Sequence, residues 1–353
     1  MSDRLADYDY ELPAELIARE PPPHREDARL MVISRQDQSI RHHSIRELPD
    51  LLRRNDRLVL NNTRVLPARL LGYRSSTGGR WEGLFLRELH TGQIQLLGQA
   101  RGRLMPGETI SLEPNSSNRE LSPLALTLVD KQDDGSWFAR PETTVSPFDW
   151  LSAYGRVPLP PYMQREEATA VDEERYQTVY AQNPGSVAAP TAGLHFTPEL
   201  LARCEQAGIT RSTVSLHVGV GTFRPVATEL LSQHVMHEEW CELTSDVVQE
   251  VRQTQQTGGR IVAVGTTACR TLESAARQGQ LAAYQGATDL FIRPPYLFRV
   301  VELLLTNFHL PKSTLFVLVC TLAGRDLMQR AYAEAIAERY RFYSYGDAML
   351  ITP

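Results

Sequence analysis

The chain has 353 residues, of which 42% are hydrophobic and 22% are charged, a composition typical of a globular protein of one or two domains. It has no apolar run near the roughly 20 residues that span a membrane, and its polar start differs from a signal peptide, so we expect a cytoplasmic protein. The net charge of −5 argues against a general nucleic-acid binder. Four widely spaced cysteines indicate neither a disulfide framework nor a cysteine zinc site.

The first 66 residues predict the beginning of an α/β sheet. Apolar patterning and the proline run that ends at Pro23 predict a short helix over residues 13–19 and strands over residues 29–33 and 57–65. Nine arginines but only three acidic residues lie between positions 41 and 80. Such a stripe can contact phosphate, although a run of charge more often marks a solvated surface.

Residues 67–145 have a different texture from the rest of the chain. Short alternating runs are separated by turn-forming clusters such as STGGR, EPNSSN and KQDDGS. Strands of this length and spacing predict a small all-β barrel or sandwich. We therefore predict a mixed α/β fold in which a large α/β domain, formed by residues 1–66 and 146–353, contains an inserted small all-β domain over residues 67–145, either a barrel or a sandwich.

Residues 186–225 predict a βαβ unit. An apolar run leads to a loop that contains His195, Thr197 caps the helix that follows, and the next strand runs to His217. Loops that follow parallel strands lie at one edge of the sheet. We therefore expect His195 and His217 to face the same crevice.

The last hundred residues repeat this alternation of strand and helix. A strand ends at Gly265 and leads into a helix with a threonine N-cap, and residues 288–292 predict another strand. A further strand leads to a loop with Asn307 and His309, and Ser313 caps the buried helix that follows. The loops should gather at the carboxyl ends of one sheet, where ligands of open α/β sheets bind.

The glycine-rich turn over residues 219–222 offers backbone N–H groups to an anion. It lacks the third glycine of a dinucleotide fingerprint, and the chain has no GxxxxGK[ST] motif, so NAD and nucleoside triphosphates are excluded as ligands. The loop formed by Asn307, Phe308 and His309 suits a purine. The aromatic ring can stack on the face of the purine, and the amide and imidazole can form hydrogen bonds with its edge. Phe308 taken alone more often belongs to a core.

The histidines allow two interpretations. His234 and His237, spaced i and i+3, can bind a metal with His195 or His217 as a third ligand. No carboxylate at the spacing of a known metal motif accompanies them, so we favour a general acid or base in the crevice.

The carboxylates nearest to the loops in the sequence have simple structural explanations. Glu273 lies one helical turn after Arg270, which favours an ion pair on the helix surface. Asp347 lies in a tight aromatic turn that an aspartate can cap. Glu238 and Asp289 are the other two carboxylates near the loops in the sequence.

Eight motifs occur together in an order that resembles one known family. They are PxxREDARL, NNTRVLPAR, AAPTAGLHFT, LHVGVGTFRPV, HxxHEE, VGTTACRTLES, TNFHLPKSTL and YRFYSYGDAMLI, and the resemblance as a whole runs from residue 8 to residue 352. The family is that of the S-adenosylmethionine:tRNA ribosyltransferase-isomerases, the enzymes that make epoxyqueuosine. The resemblance implies a large α/β domain with an inserted β-barrel, in agreement with the change of texture at residues 67–145.

The resemblance also implies the reaction. The ribosyl group of S-adenosylmethionine would be transferred and isomerised onto 7-aminomethyl-7-deazaguanine at the wobble position of tRNA, which gives epoxyqueuosine, adenine and methionine. S-adenosylmethionine would be consumed as a substrate, and no metal or redox cofactor is expected. The partners would be that tRNA and S-adenosylmethionine, without a membrane, and the resemblance favours a monomer.

The chemistry of this reaction suggests roles for the loop residues. A base removes a C5′ proton beside the sulfonium, and an acid serves the departing adenine, tasks that suit imidazoles with a near-neutral pKa. The catalytic candidates are His195, His217, His309 and Asp289. Backbone amides of the glycine-rich turn would hold the methionine carboxylate, with Arg224 as its charge partner. The full set expected to bind substrate is Thr191, Gly193, Gly219, Gly221, Thr222, Phe223, Arg224, Thr266, Arg270, Asn307 and Asp347. Arg53, Arg54 and Arg64 are expected to grip tRNA phosphates.

Two other classes of protein remain as alternatives. One is a metal-dependent hydrolase that uses the histidines. The other is an RNA-binding module without activity, which is disfavoured because polar residues concentrate at sheet-edge loops that suit a small ligand.

Overall fold

The protein is described by a computed structural model that covers residues 2–89, 92–163, 165, 168–219, 221 and 226–353. The strands in chain order are β1 (Arg29–Ser34), β2 (Ile40–Ser44), β3 (Arg57–Asn61), β4 (Thr63–Val65), β5 (Arg69–Arg74), β6 (Arg80–Glu88), β7 (Ile94–Ala100), β8 (Thr109–Leu112), β9 (Leu124–Lys131), β10 (Trp137–Pro141), β11 (Gly155–Arg156), β12 (Asn183–Ser186), β13 (Thr210–Leu216), β14 (Glu239–Leu243), β15 (Ile261–Val264), β16 (Tyr284–Thr288), β17 (Leu303–Asn307) and β18 (Ala348–Thr352).

The α-helices are α1 (Leu48–Leu51), α2 (Pro147–Tyr154), α3 (Ala170–Arg175), α4 (Pro198–Gln206), α5 (Ser245–Gln256), α6 (Gly265–Ala275), α7 (Thr314–Ala323) and α8 (Arg325–Ala337). Short 3₁₀ turns lie at Leu5–Tyr8, Ala14–Leu16, Arg25–Asp27, Ile45–Glu47, Pro161–Met163, Thr191–His195 and Leu231–Gln233. Within the described ranges, no helix has the length and apolar character needed to cross a membrane.

A large mixed sheet organises the molecule. Among the described residues its strand order is β16-β14-β13-β3-β15-β17-β18-β1-β2. Strands β13, β3, β15 and β17 at its centre are mutually parallel. Strand β18 lies between β17 and β1, antiparallel to β17 and parallel to β1. Four carboxyl strand ends therefore lie side by side at one edge.

Alternation along the central strands forms two cores, one on each face of the sheet. Val59 and Ala263 face the core that is covered by α5, α6, α7 and α8. Leu58, Leu60 and Val262 face the opposite core, which α1 and α4 cover. The result is a three-layer α/β arrangement.

The second large sheet is a closed barrel. Strands β5, β6, β7, β10, β9 and β8 follow one another, and pairing of β5 with β8 closes the ring, while β11 pairs with β5 at its side. Trp81, Phe85, Leu96 and Trp137 are buried in its core. The large sheet together with this barrel confirms the predicted fold class.

Several local predictions are confirmed. The side chain of Thr197 accepts a hydrogen bond from the N–H of Leu200 at the start of α4, and Ser313 accepts one from Phe316 at the start of α7. Helix α7 ends at Gly324. Caps of this kind depend only on neighbouring residues. The threonine N-cap predicted for the helix after Gly265 is wrong, because α6 begins at Gly265 itself and the residue before it, Val264, makes no side-chain cap.

Three predictions near the strands are wrong. Residues 13–19 form only a 3₁₀ turn, because Ile17 leaves it to make a β-bridge with Phe342. The strand near residues 288–292 lies earlier, at β16, while Leu290 and Ile292 are buried without strand pairing. The strand expected over residues 57–65 divides at Asn62 into β3 and β4, where the chain leaves the main sheet.

The predicted βαβ unit is also wrong. Strand β12 pairs with β4 in a separate two-stranded sheet, so it does not share the main sheet with β13. The apolar run that follows β12 packs beside the barrel and the glycine-rich turn, since Val187 is buried with the barrel core and donates its N–H to the carbonyl of Val218. His195 therefore does not follow a strand of the main sheet.

Candidate active site

Polar residues gather at the carboxyl edge of the parallel strands. Thr63 follows β3, His217 follows β13, Gly265 follows β15, and Asn307 ends β17. Open α/β sheets bind ligands at this edge. The predicted location of the site is therefore consistent with the topology.

Three adjoining cavities open at this edge. The inner cavity, of about 70 Å³, lies between Ala189, Asn307, His309 and Tyr343. The side cavity, of about 40 Å³, is lined by the histidine pair, Arg270 and Thr314. The large cavity, of about 750 Å³, lies between barrel residues 85–88 and the main sheet.

These cavities share walls. Thr266, Thr267 and Leu315 line both the inner and the side cavity. Gly221, His237 and Glu239 line both the side and the large cavity. Val218 lines both the inner and the large cavity. The three spaces therefore surround the start of α6 and the glycine-rich turn.

His217 lies in the wall of the large cavity and is held from two sides. Its Nδ1 lies 2.8 Å from the hydroxyl oxygen of Thr63, and its ring stacks on Trp240 with centroids 4.8 Å apart. The Thr63 hydroxyl also donates to the carbonyl of Asn183 at 3.4 Å, so it accepts from Nδ1–H. Burial lowers the pKa of His217 below its usual value. The other ring nitrogen, Nε2, is therefore an unprotonated base.

Gly185 gives His217 the room that it occupies. A Cβ atom at Gly185 would lie 2.7 Å from Nε2 of His217, and the φ angle there is +153°. We expect Gly185→Ala to displace the imidazole and to lower catalytic turnover by about tenfold or more, because a displacement of about 1 Å can cost up to a hundredfold. Steady-state turnover of the folded variant measures this effect.

Gly286→Ala is the matched control for this substitution. Gly286 has a similar φ of +156°, but a Cβ atom there would lie 3.6 Å from the hydroxyl of Tyr284, an ordinary van der Waals contact. Both variants have the same unfavourable backbone conformation, and only Gly185→Ala meets the imidazole. Equal turnover in the two variants would show that Gly185 does not position His217.

His195 lies away from His217, so the expectation of one shared crevice is wrong. It is 3% exposed and lines a small pocket beneath Arg25 and Tyr345. Its Nε2 lies 3.2 Å from the amide nitrogen of Asn307. Burial, with the nearby Arg25 and Arg341, lowers its pKa to about 4. His195 is therefore a neutral hydrogen-bond acceptor for Asn307.

His309 lines the inner cavity and is equally buried. The Nε2 atom of its imidazole lies 3.1 Å from the hydroxyl of Thr306, and its backbone N–H donates to the hydroxyl of Tyr332 at 3.0 Å. Burial lowers its pKa to about 3. The near-neutral pKa expected for proton transfer is therefore absent from His195 and His309. Phe308 also lines this cavity, but it packs within the aromatic core against Tyr332.

Arg270 and Glu239 form a buried ion pair in the wall of the side cavity. Their side chains are 6% and 4% exposed. Arg270 also donates to the carbonyl of Leu290 at 3.1 Å, and Glu239 accepts from the N–H of Gly219 at 3.1 Å. The pair therefore links α6 to the glycine-rich turn.

The expected surface pair between Arg270 and Glu273 is wrong. Glu273 is fully buried, and its carboxylate accepts hydrogen bonds from three successive backbone N–H groups, those of Arg299, Val300 and Val301. The hydroxyl of Tyr296 donates to the same carboxylate at 2.9 Å. Glu273 thus anchors a loop that is distant in the sequence.

The remaining substrate-binding candidates have different positions. Thr191 lines the inner cavity and donates to the amide oxygen of Asn307 at 3.0 Å. Gly193 is buried, and a Cβ atom there would lie 2.1 Å from the hydroxyl of Tyr180, so this glycine permits close packing. Gly219 lines the large cavity. The predictions for Thr222, Phe223 and Arg224 lie outside the described residues.

Two predicted carboxylates are not brought to the cavities. Asp289 is 57% exposed and pairs with Arg277 at 3.0 Å. Asp347 is buried, and it accepts hydrogen bonds from the N–H groups of Arg29 and Arg341, each at 2.8 Å. Burial raises the pKa of Asp347 above its usual value. Asp347 fastens β1 to the loop before β18.

The arginines expected to bind tRNA lie at opposite edges of the sheet. Arg53 and Arg54 are exposed before the start of β3. Arg64 is exposed beyond the other end of that strand, in β4, and donates to the carbonyl of Ala181 at 3.1 Å. A five-residue strand spans about 16 Å. Only Arg64 therefore lies at the edge that holds the cavities.

Sequence reasoning missed several residues around the cavities, including Thr63, Gly185, Trp240 and Thr267. Their positions depend on contacts between segments that are distant in the chain, and Thr63, the first residue of β4, had no local signal. The residues that the structure describes contain no group of three or more His, Cys, Asp or Glu side chains arranged to hold a metal ion.

The fold and the cavities define a class: an α/β protein with an inserted barrel and three adjoining cavities at the carboxyl edge of its parallel strands, with His217 in the wall of one of them. The profile of the family described as queuosine biosynthesis protein matches residues 5–351. The chain therefore belongs to the queuosine biosynthesis protein family, which confirms the resemblance seen in its motifs.

Similar proteins extend over nearly the whole chain. Proteins named S-adenosylmethionine:tRNA ribosyltransferase-isomerase from Thermotoga petrophila and Symbiobacterium thermophilum are 45% and 47% identical, each over 99% of both chains. The crystal structure of S-adenosylmethionine tRNA ribosyltransferase from Thermotoga maritima is 35% identical, with a TM-score of 0.55 over 98% of this chain and 99% of that one. These relatives confirm that the chain is an enzyme of this family.

Proposed function

We propose that the protein transfers and isomerises the ribosyl group of S-adenosylmethionine onto 7-aminomethyl-7-deazaguanine at the wobble position of tRNA. The products are epoxyqueuosine in tRNA, adenine and methionine. The family and the names of its relatives support the reaction class. The observation that favours this function most is the group of three cavities that share walls, with one neutral histidine, His217, in the wall of the large cavity.

The shared walls of the cavities suggest how two substrates are arranged. S-adenosylmethionine lies along the inner and side cavities, which share Thr266 and Thr267. The large cavity has a volume within the range of ligand pockets, roughly 300–1,000 Å³. It receives the modified base, which must leave the stacked anticodon loop to react. Both substrates then meet near Val218, the residue shared by the inner and large cavities.

His217 is the base in this proposal. Its Nε2 takes a C5′ proton, which the neighbouring sulfonium makes acidic. The bond between C1′ and adenine breaks, and adenine takes up a proton as it leaves. The amine of the 7-aminomethyl group forms the new bond to the sugar and gives up a proton. The ring oxygen closes the epoxide as the C5′–S bond breaks, which releases methionine. Thr63 and Trp240 hold the imidazole in position for the first step.

The two buried histidines have supporting roles. Because the pKa of His309 is lowered to about 3, it hydrogen-bonds the purine as a neutral group and is not a protonated acid. His195 positions Asn307, whose amide also holds Thr191 at the mouth of the inner cavity. Asp289 has no role here, since it lies on the surface.

Contact with tRNA takes place at the same edge of the sheet. Arg64 is exposed there and contributes a phosphate contact. Arg53 and Arg54, at the far edge, are not required when the anticodon loop is bound at the large cavity. We propose no metal or redox cofactor, and S-adenosylmethionine is a substrate.

The test is a direct assay of the products. The enzyme is incubated with S-adenosylmethionine and with tRNA that contains 7-aminomethyl-7-deazaguanine, and the digested nucleosides are weighed by mass spectrometry. We expect epoxyqueuosine with equimolar adenine and methionine. The control is the same tRNA with guanine at the wobble position, which should remain unchanged.

Failure of the assay would be informative. Unchanged nucleosides with both substrates bound to a folded protein would contradict the proposed function. Loss of activity on chelation, together with stoichiometric bound metal, would favour the metal-dependent hydrolase instead.

A further inference from the structure

Helix α6 begins directly at the side cavity and has no side-chain cap. The residue before it, Val264, makes no capping hydrogen bond, so the first N–H groups of an 11-residue helix have no intrahelical partner. Thr266 and Thr267, in its first turn, line the cavity. A helix N-terminus of this kind attracts anions.

Within the part of the chain that the structure describes, two side-chain groups near this helix end have no hydrogen-bond partner. One is the buried Nη2 of Arg270, whose other two guanidinium nitrogens bind Glu239 and Leu290. The other is the buried hydroxyl of Thr267. Buried polar atoms nearly always have partners. Two such donors beside an uncapped helix indicate a negatively charged ligand.

Glu239 places a carboxylate in the wall of the same cavity. Its carboxylate neutralises the charge of Arg270, and it lines the cavity on the side of Gly221. As a carboxylate in the cavity wall, it complements a cationic group of a ligand. The cavity of about 40 Å³ has room for about three water-sized groups.

We propose that the side cavity binds the α-amino acid end of S-adenosylmethionine. The α-carboxylate accepts hydrogen bonds from Arg270 Nη2, the Thr267 hydroxyl and the first N–H groups of α6. The α-ammonium lies against Glu239. This assignment moves the carboxylate from the glycine-rich turn to α6, and it rests on the proposed function for the identity of the ligand.

The test measures equilibrium binding without tRNA, by calorimetry. Wild-type enzyme and Thr267→Val are titrated with S-adenosylmethionine and with its decarboxylated analogue. We expect the wild-type enzyme to bind S-adenosylmethionine at least tenfold more tightly than the analogue, because hydrogen bonds to charged groups are the stronger ones. Thr267→Val should lower the affinity for S-adenosylmethionine by about tenfold. Its affinity for the decarboxylated analogue should equal that of the wild-type enzyme.

Thr271→Val is the matched control. Thr271 lies one turn further along α6, is buried, and donates to the carbonyl of Thr267 outside the cavity. It should change the affinity for neither compound. Equal affinity of the wild-type enzyme for both compounds, or equal losses in Thr267→Val, would overturn the assignment.

The outcome separates this assignment from the proposed function. If the enzyme binds S-adenosylmethionine more tightly than the analogue but transfers no ribosyl group to tRNA, the side-cavity assignment is supported and the proposed reaction is contradicted. If it transfers the ribosyl group but binds both compounds equally, the proposed reaction is supported and the side-cavity assignment is contradicted. Absence of any binding of S-adenosylmethionine would contradict both.

Discussion

Replacing His217 with asparagine is expected to lower the rate of ribosyl transfer by about 10²–10⁴-fold, the usual contribution of a positioned general base. Asparagine preserves a polar group near Thr63, so the fold and the binding of S-adenosylmethionine should persist. Single-turnover mass spectrometry with saturating substrates measures the chemical step. Calorimetric titration of S-adenosylmethionine checks that binding is retained.

The pH dependence of the wild-type enzyme tests the same role. Burial lowers the pKa of His217, so the unprotonated base persists below the usual pKa of about 6.5. The transfer rate should be flat at neutral pH and should fall on acidification, through a midpoint below that value. His43→Asn, at an exposed pair with Glu47, is the control and should keep the wild-type rate. A wild-type rate in His217→Asn would exclude His217 as the base.

Replacing Glu273 with alanine is expected to lower the free energy of unfolding by about 4 kcal/mol, because several buried donors lose their acceptor at once. Those donors are the N–H groups of residues 299–301 and the hydroxyl of Tyr296. Urea unfolding followed by circular dichroism measures the change.

Glu338→Ala provides the comparison. The side chain of Glu338 is 57% exposed and lies 3.9 Å from Arg29, so its loss should cost no more than about 1 kcal/mol. If Glu273→Ala unfolds at the same urea concentration as Glu338→Ala, the carboxylate does not anchor the loop as described.

The sequence predicted best those features that depend on neighbouring residues. Thr197 and Ser313 cap their helices as expected, since a cap requires only the next three residues. The alternating runs of residues 67–145 similarly indicated a barrel without knowledge of its closure.

Features that depend on distant segments were missed or misplaced. Glu273 was expected on a helix surface, yet residues 296–301 return to bury it. The partner of His217 is Thr63, which lies more than 150 residues earlier in the chain, with a separation of 154. The position of a strand in a sheet determines such contacts, and local periodicity does not contain that information.

The candidate site followed the same rule. The sequence located the sheet edge and its loops correctly, because strand ends and turns have local signatures. It placed His195 with His217, because an apolar run was interpreted as a strand of the main sheet, whereas β12 pairs with β4. The burial that lowers the pKa of His195 and His309 is also a property of the folded chain alone.

The position of β18 has a consequence for the order of folding during synthesis. Strand β1 pairs with β18, and β3 pairs with β15, so early strands of the main sheet require partners from the last hundred residues. The barrel strands β5 to β10, in contrast, find their partners within residues 69–141. Contacts between distant residues form slowly, and domains generally fold as units during translation. On the ribosome, the barrel can therefore complete its hydrogen bonding first. Strands β1 and β3 each keep one edge without its native partner until β18 and β15 have been synthesised.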